Sequence, residues 1–176
     1  MQFVNTPLFG AYMIALEPHH DERGFFARAF CECELEARGL VTHYPQCNIS
    51  FSTAAFTLRG LHYATPPYRE QKLVRCSRGA IYDVIVDLRP DSPSRLRWFA
   101  CELTEQNHRM LYVPAGCAHG FLTLTSSTEV FYQMGTAYAP EAQRGVRWND
   151  PRFGISWPHE PLVISARDRE FPDYES

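Results

Sequence analysis

An alternation with a period of two is the feature that most constrains the fold of this chain. From about residue 50 onwards apolar and polar residues alternate, and Gly and Pro interrupt the alternation at short intervals. A strand has this period and a helix does not, so the sequence predicts a mainly β protein. The clearest strand is Ala80–Leu88, which ends at Arg89-Pro90 and presents on one face Ile81, Asp83, Ile85 and Asp87.

Several short strands at similar spacing are typical of a sandwich or a barrel. The best helix candidate is 31–38, which Gly39 can end by taking the left-handed cap conformation. No linker, repeat or low-complexity stretch divides the chain, so we expect one domain over residues 1–176. Besides 80–88, we predict strands at 71–77, 97–103, 109–113, 120–125 and 128–134.

Composition narrows the class of function. The chain has 176 residues and a formal net charge of −3, which argues against a protein that coats nucleic acid or an anionic membrane. No segment is apolar over the length that spans a bilayer, and the N-terminus lacks the regions of a secretion signal. The six cysteines have no spacing typical of a zinc site, so we expect reduced thiols and a cytoplasmic protein.

His62 is the first candidate for chemistry. A lone histidine in a strand is more often structural, but His62 follows Arg59 and Gly60, and a Gly inside a strand often marks a bulge or a ligand. Lys72 brings a cation near the same sheet, and a second histidine, His119, precedes another predicted strand. These residues indicate a polar site on the sheet.

The turn that ends at His119 has the spacing P-x-G-x-x-H. It resembles the second motif of the cupin superfamily, in which this histidine points into the barrel. Many cupins bind a metal through an H-x-H pair, a Glu and this last His, but here Tyr63 and Ala64 follow His62. Without three or four convergent ligands a divalent site is not expected, so the sequence predicts a barrel without a metal.

Eight short segments carry a more specific resemblance. They are Asp21–Phe26, Gln46–Ser50, Arg59–Tyr63, Gln71–Arg75, Asp83–Arg89, Pro114–Phe121, Arg147–Pro151 and Ile155–Pro158. In this order and spacing they resemble the dTDP-4-dehydrorhamnose 3,5-epimerase family. The resemblance implies a cupin jelly-roll barrel with a few short helices and no cofactor. It also implies a homodimer that exchanges N-terminal segments and a nucleoside-diphosphate 4-keto-sugar substrate.

The resemblance also implies roles for single residues. A 4-keto group acidifies the protons on C3 and C5, so epimerisation removes a proton and returns one to the opposite face. By the family pattern His62 is the base, which suits imidazole at neutral pH, and Asp168 orients it. Tyr132 is the acid across the ring, and Lys72 stabilises the enolate. Substrate-binding roles are implied for Arg23, Phe26, Arg28, Gln46, Asn48, Arg59, His119, Tyr138, Gln143 and Arg167.

Arg59 and His62 pose a geometric problem. They are an odd number of residues apart, so a regular strand would direct their side chains to opposite faces. Both can face one pocket only if the strand is irregular, and we predict the irregularity at Gly60.

Departures from the family pattern leave alternatives open. The family usually has Glu at the positions of Arg28 and Gln143, and Lys at that of Arg167; all three lie in its nucleotide-binding region. Replacing a carboxylate with a guanidinium reverses local charge, so our hypothesis is a nucleotide other than dTDP (CDP, GDP or UDP) or a different sugar. Further alternatives are epimerisation at one carbon only, a keto-isomerase on the same fold, and a non-catalytic sugar-binding cupin.

Overall fold

Strands form most of the regular structure in this computed structural model, which describes residues 1–175. In chain order the strands are β1 (Gln2–Asn5), β2 (Tyr12–Ala15), β3 (His19–Asp21), β4 (Gly24–Phe26), β5 (Gln46–Ser52), β6 (Thr57–Ala64), β7 (Lys72–Arg78), β8 (Ala80–Asp87), β9 (Trp98–Thr104), β10 (Met110–Val113), β11 (Cys117–Thr123), β12 (Thr128–Met134), β13 (Gln143–Gly145) and β14 (Val163–Ile164). The helices are α1 (Glu32–Glu36), α2 (Ala166–Arg169) and a 3-10 turn at Pro140–Ala142. The predicted mainly β class with a few short helices is confirmed.

Two sheets pack face to face as a jelly roll. The first has the order β1-β2-β10-β7-β12-β5, and the second has the order β13-β6-β11-β8-β9, with β14 parallel to β6. The core between them contains Val74 and Val130 from the first sheet and Ile85 and Phe121 from the second. Strands β3 and β4 form a separate hairpin that pairs only with itself.

The alternation in β8 separates two apolar clusters. Ile81 and Ile85 lie in the core between the sheets, whereas Val84 and Val86 face outward. The outward residues are nevertheless buried, because the C-terminal segment that contains Phe153 covers them. Because β8 is covered on both faces, its sequence is almost continuously apolar.

The predicted strand boundaries hold to within one residue for β7, β8, β9, β10 and β12. The strand predicted at 120–125 lies earlier in the chain, at Cys117–Thr123. It begins at Cys117 because this residue already pairs with Asp87 of β8. Gly116 makes the preceding turn with φ of +84°, so His119 lies inside the strand and not in the turn. Strands β1 to β4 have only three or four residues each, too few for their pattern to have predicted them, whereas the seven-residue β5 alternates and was missed.

The helix predicted over 31–38 is shorter, Glu32–Glu36, but Gly39 takes the predicted left-handed cap conformation. Gly39 has φ of +67°, and the N–H groups of Gly39 and Leu40 donate to the carbonyls of Glu36 and Leu35. These two bonds form a Schellman cap, which satisfies carbonyls that the helix itself leaves free.

No helix in the part of the chain that the structure describes is long and apolar enough to span a membrane. All six cysteines are free thiols.

Candidate active site

Two adjoining cavities lie between the sheets and share His62, Lys72 and Tyr132. The inner cavity is about 360 Å³ and the outer one about 430 Å³, a size that suits a small-molecule site. The inner cavity also contains Arg59, His119 and Asp168. The outer cavity adds Gln46, Asn48, Glu70, Tyr138 and Gln143.

Asp168 holds the His62 ring by a hydrogen bond. Nε2 of His62 lies 2.8 Å from Oδ1 of Asp168, and the other carboxylate oxygen accepts the Gly60 N–H at 3.1 Å. Burial raises the pKa of the Asp168 carboxyl, but the hydrogen bond and charge of His62 and the hydrogen bonds of Gly60 and Ser165 together outweigh it and leave this pKa below its ordinary value. An ionised carboxylate only accepts, so Nε2 carries the proton and the other ring nitrogen keeps a free lone pair.

Helix α2 places the Asp168 carboxylate. Ser165 is its N-cap, and the Ser165 hydroxyl accepts the Asp168 N–H at 3.1 Å. The adjacent strand β14 pairs with β6, the strand that contains His62. The hydrogen bond of the N-cap and the pairing of β14 with β6 together hold Asp168 beside His62.

The predicted irregularity at Gly60 is confirmed. His62 lies opposite His119 and Arg59 lies opposite Phe121, so β6 advances three residues while β11 advances two. Gly60 itself has φ of +118°, and a Cβ there would lie 2.6 Å from the Cα of Gly120. Only glycine fits this backbone, and the resulting bulge lets Arg59 and His62 share the cavity.

Tyr132 and Lys72 enter from the opposite sheet. Tyr132 lies opposite Asn48 of β5 and Val74 of β7, and burial raises the pKa of its hydroxyl above the ordinary value. The ammonium of Lys72 pairs at 2.8 Å with the carboxylate of Glu70, and both side chains are almost fully buried. A protonated phenol and an ammonium thus face the His62 imidazole across the cavity.

His119 has a carboxylate partner of its own. Its Nε2 lies 2.7 Å from Oδ1 of Asp83, which is completely buried in β8. Sequence reasoning missed this partner, although an acidic residue on the inward face of a buried strand was a usable signal, because such a charge needs a counterpart. It also missed Glu70, for which the local pattern holds no signal.

Arg59 differs from the other cationic groups of the site. Its guanidinium donates to the Phe51 carbonyl at 2.9 Å and to the Ser52 hydroxyl at 3.2 Å. His62, Lys72 and His119 each have a carboxylate partner, whereas Arg59 has none within residues 1–175. Its charge is therefore available to an anionic ligand.

A single chain does not bring four of the predicted binding residues to either cavity. Arg23 pairs with Asp21 in the β3–β4 hairpin, where Phe26 is 76% exposed. Arg28 lies 3.6 Å from Glu34, and the guanidinium of Arg167 lies over the Phe171 ring at 5.8 Å. The hairpin pairs only with itself, and Arg28 lies two residues beyond its end. Within residues 1–175, none of Arg23, Phe26 and Arg28 lines a cavity with His62.

The part of the chain that the structure describes contains no group of three or more His, Cys, Asp or Glu side chains that could hold a metal ion. The titratable groups of the cavity instead form three pairs, each of a carboxylate with a histidine or a lysine. The second ring nitrogen of His62 remains free to act as a base. A jelly roll with an oriented imidazole facing a phenol and an ammonium defines an acid–base enzyme site.

Comparison with known proteins identifies the family. Residues 5–176 match the family model described as dTDP-4-dehydrorhamnose 3,5-epimerase. An enzyme of that name from Sinorhizobium fredii is 38% identical over 173 residues, which cover 98% of this chain and 89% of the relative. This chain therefore belongs to the dTDP-4-dehydrorhamnose 3,5-epimerase family and is an isomerase.

Solved structures agree with the present fold. The epimerase from Bacillus anthracis, with TDP and PPi bound, is 39% identical, with a TM-score of 0.94 and coverage of 98% of this chain and 99% of that chain. A 3'-monoepimerase from Streptomyces bikiniensis, in complex with dTDP-quinovose, is 33% identical, with a TM-score of 0.87 and coverage of 96% and 85%.

Proposed function

We propose that the protein epimerises C3 and C5 of a dTDP-linked 4-keto-6-deoxyhexose by proton abstraction and re-protonation. The observation that carries the proposal is the Asp168-bound His62 imidazole, which faces Tyr132 across a cavity of substrate size. The names of the relatives support the choice of sugar and nucleotide.

In this proposal His62 removes the proton beside the 4-keto group. Asp168 holds the ring and stabilises the imidazolium that forms, as an Asp does behind a catalytic His. The negative charge moves to the keto oxygen, where the Lys72 ammonium stabilises the enolate, a contact worth about 3–4 kcal/mol when it is preorganised. Tyr132 comes from the other sheet and returns a proton to the opposite face of the ring.

Arg59 and His119 bind the diphosphate and the sugar oxygens in this proposal. Arg59 is suited to the diphosphate because its charge has no carboxylate partner in the described residues. The outer cavity then receives the nucleoside, with polar contacts from Gln46, Asn48, Tyr138 and Gln143.

The remaining binding residues require a second chain. We propose a homodimer of single-domain chains in which the exposed β3–β4 hairpin and the residues directly after it carry Arg23, Phe26 and Arg28 to the partner's outer cavity. The 76% exposure of Phe26 supports this, since a large aromatic ring gains from being covered. In this dimer Arg167, which lies on the same helix as Asp168, contacts the nucleotide where the two chains meet.

The six free thiols support a cytoplasmic location for the protein, because thiols stay reduced there.

Deuterium exchange tests the proposed reaction. The wild-type protein is incubated in D2O with dTDP-4-keto-6-deoxyglucose, and NMR follows the deuterium that enters C3 and C5. We expect both positions to exchange and the His62→Asn variant to lose at least a hundredfold in rate. The variant should still bind dTDP, because His62 removes protons and does not hold the nucleotide. No exchange at either carbon would overturn the proposal.

The same assay separates the alternatives. Exchange at one carbon only would indicate a monoepimerase, like the Streptomyces bikiniensis relative. Tight dTDP binding with no exchange would indicate a non-catalytic sugar-binding cupin, and a shifted keto group would indicate a keto-isomerase.

Nucleotide choice is tested by thermal shift with dTDP, UDP, CDP and GDP. We expect dTDP to raise the melting temperature most, since bound ligand stabilises the folded state in proportion to the logarithm of its affinity. A larger rise with another nucleotide would support the hypothesis drawn from Arg28, Gln143 and Arg167.

A further inference from the structure

Lys72 is the only lysine in the chain; the other 16 of the 17 Lys and Arg residues are arginines. It lies at the start of β7 and lines both cavities. Glu70, two residues earlier, lies 2.8 Å from its ammonium, with 4% of the Glu70 side chain and 6% of the Lys72 side chain exposed. Glu70 itself lines the outer cavity.

A buried carboxylate beside a buried ammonium calls for an explanation. Removing both charges from water is costly, and such a pair often contributes little net stability. An ammonium that acts on substrate must nevertheless keep its charge and its direction inside the cavity. A carboxylate fixed beside the ammonium keeps it charged and holds its direction. The negative charge also weakens the positive potential that the ammonium presents to the substrate.

We propose that Glu70 is a positioning residue that holds the Lys72 ammonium, charged and correctly directed, at the site of the developing enolate. The proposal rests on the proposed function, in which Lys72 stabilises that enolate. Glu70 acts through Lys72 and does not itself exchange a proton with the sugar.

The surroundings of Lys72 contain few other groups that could take this role. Tyr132 from β12, His62 from β6 and His119 from β11 line the same cavity, and β10 places the apolar Val113 beside Lys72. Buried Cys117 of β11 is also close enough for Lys72 to lower the pKa of its thiol, although burial raises it overall. The carboxylates of the two histidine pairs, Asp168 and Asp83, are already occupied. Glu70 is therefore the carboxylate available to Lys72 within residues 1–175.

Glu70 also acts on the proposed acid. Burial raises the pKa of the Tyr132 hydroxyl, Arg59 lowers it, and the negative charge of Glu70 adds to the rise. Loss of the Glu70 charge would let Tyr132 give up its proton at lower pH.

The central test is the pH dependence of kcat in Glu70→Gln, which keeps the shape of the side chain and removes its charge. We expect the alkaline limb to move down by about 1 pH unit or more, with KM little changed. Glu70→Asp should keep the alkaline limb of the wild type but lose at least fivefold in kcat, because the shorter side chain displaces the ammonium. The matched control is Glu105→Gln, which removes a carboxylate that accepts the Gly79 N–H away from both cavities. It should leave kcat and its pH profile unchanged.

A second readout needs no turnover. Labelling with 13C-lysine gives one side-chain signal, because the chain has one lysine. The pH at which this signal titrates should fall in Glu70→Gln and remain in Glu70→Asp. If Glu70→Gln does not fold, the fall in kcat of Glu70→Asp carries the test.

Glu70 and Glu105 variants that give the same kcat profile and the same lysine titration would overturn the proposal, as would a Glu70→Asp variant as active as the wild type. A wild-type protein without proton exchange would instead overturn the proposed function. The lysine titration would then still decide whether Glu70 controls Lys72.

Discussion

His62 and Asp168 are 106 residues apart in the chain, yet Nε2 of one lies 2.8 Å from Oδ1 of the other. Asp168 is 5% exposed and reaches the ring from a four-residue helix whose neighbouring strand pairs with β6. The base of the proposed reaction is therefore built from a central strand and the C-terminal segment together.

Replacing Asp168 with Asn should lower kcat by roughly two to four orders of magnitude. The amide can donate to Nε2 and so favour the wrong tautomer of His62, and it cannot stabilise an imidazolium. Steady-state kinetics and nucleotide binding measure the effect, and we expect binding of dTDP to persist. Asp173→Asn is the control, since this half-exposed carboxylate pairs with Arg147 and not with His62. Equal losses in the two variants would contradict the role of Asp168.

Replacing Tyr132 with Phe should separate proton removal from inversion. His62 and Lys72 remain, so deuterium should still enter the substrate, but the inverted product should fall by about a hundredfold or more. NMR of the sugar in D2O measures both quantities. Tyr82→Phe, on the outward face of β8, should behave as wild type. Undiminished inversion without the Tyr132 hydroxyl would assign the acid to another group.

Replacing Gly60 with Ala should destabilise the protein by about 3 kcal/mol or more, because a steric clash adds to an unfavourable backbone conformation. The new Cβ would lie 2.6 Å from the Cα of Gly120 and 2.8 Å from the His119 carbonyl oxygen. Gly24→Ala is a matched control, with a similar φ of +127° and nothing within 4 Å. It should lose only about 1–2 kcal/mol, the cost of the backbone conformation alone. Urea denaturation compares them, and equal losses would argue against the clash.

The carboxylate of Asp87 should make the free energy of unfolding depend on pH in the acidic range. Burial raises the pKa of this group, but hydrogen bonds from Arg89, Ser92 and Ser94 lower it from 3.8 to about 2. A group with a depressed folded pKa contributes stability above its unfolded pKa, and this contribution is lost as pH falls from 3.8 toward 2. The contribution amounts to about 2 kcal/mol at neutral pH.

Urea denaturation of the wild type and Asp87→Asn at pH 7, 4 and 2.5 measures this dependence. The difference in unfolding free energy should shrink as the pH falls. Asp91→Asn, an exposed carboxyl beyond the same turn, should show a small difference at every pH. A difference between wild type and Asp87→Asn that stays constant with pH would rule out this linkage.

Local pattern predicted the parts of the fold that depend on local chemistry. The alternation in β8 indicated a strand, and Gly39 indicated the end of α1, because side-chain direction and allowed φ are properties of a few neighbouring residues. The need for Arg59 and His62 to share one pocket likewise located the bulge at Gly60. The boundary of β11 was displaced by three residues, because pairing with β8 extends the strand into the turn motif.

The sequence by itself determined the mainly β class and the family, and through the family resemblance it named His62, Tyr132 and Lys72 as candidates for the base, the acid and the ammonium. The resemblance also implied that Asp168 orients His62. Only the tertiary structure decided the other two carboxylate partners: Asp83 for His119 and Glu70 for Lys72. The reason is physical. Pairing between distant strands and the docking of the C-terminal segment depend on register and burial summed over the whole molecule, which no local window of sequence contains.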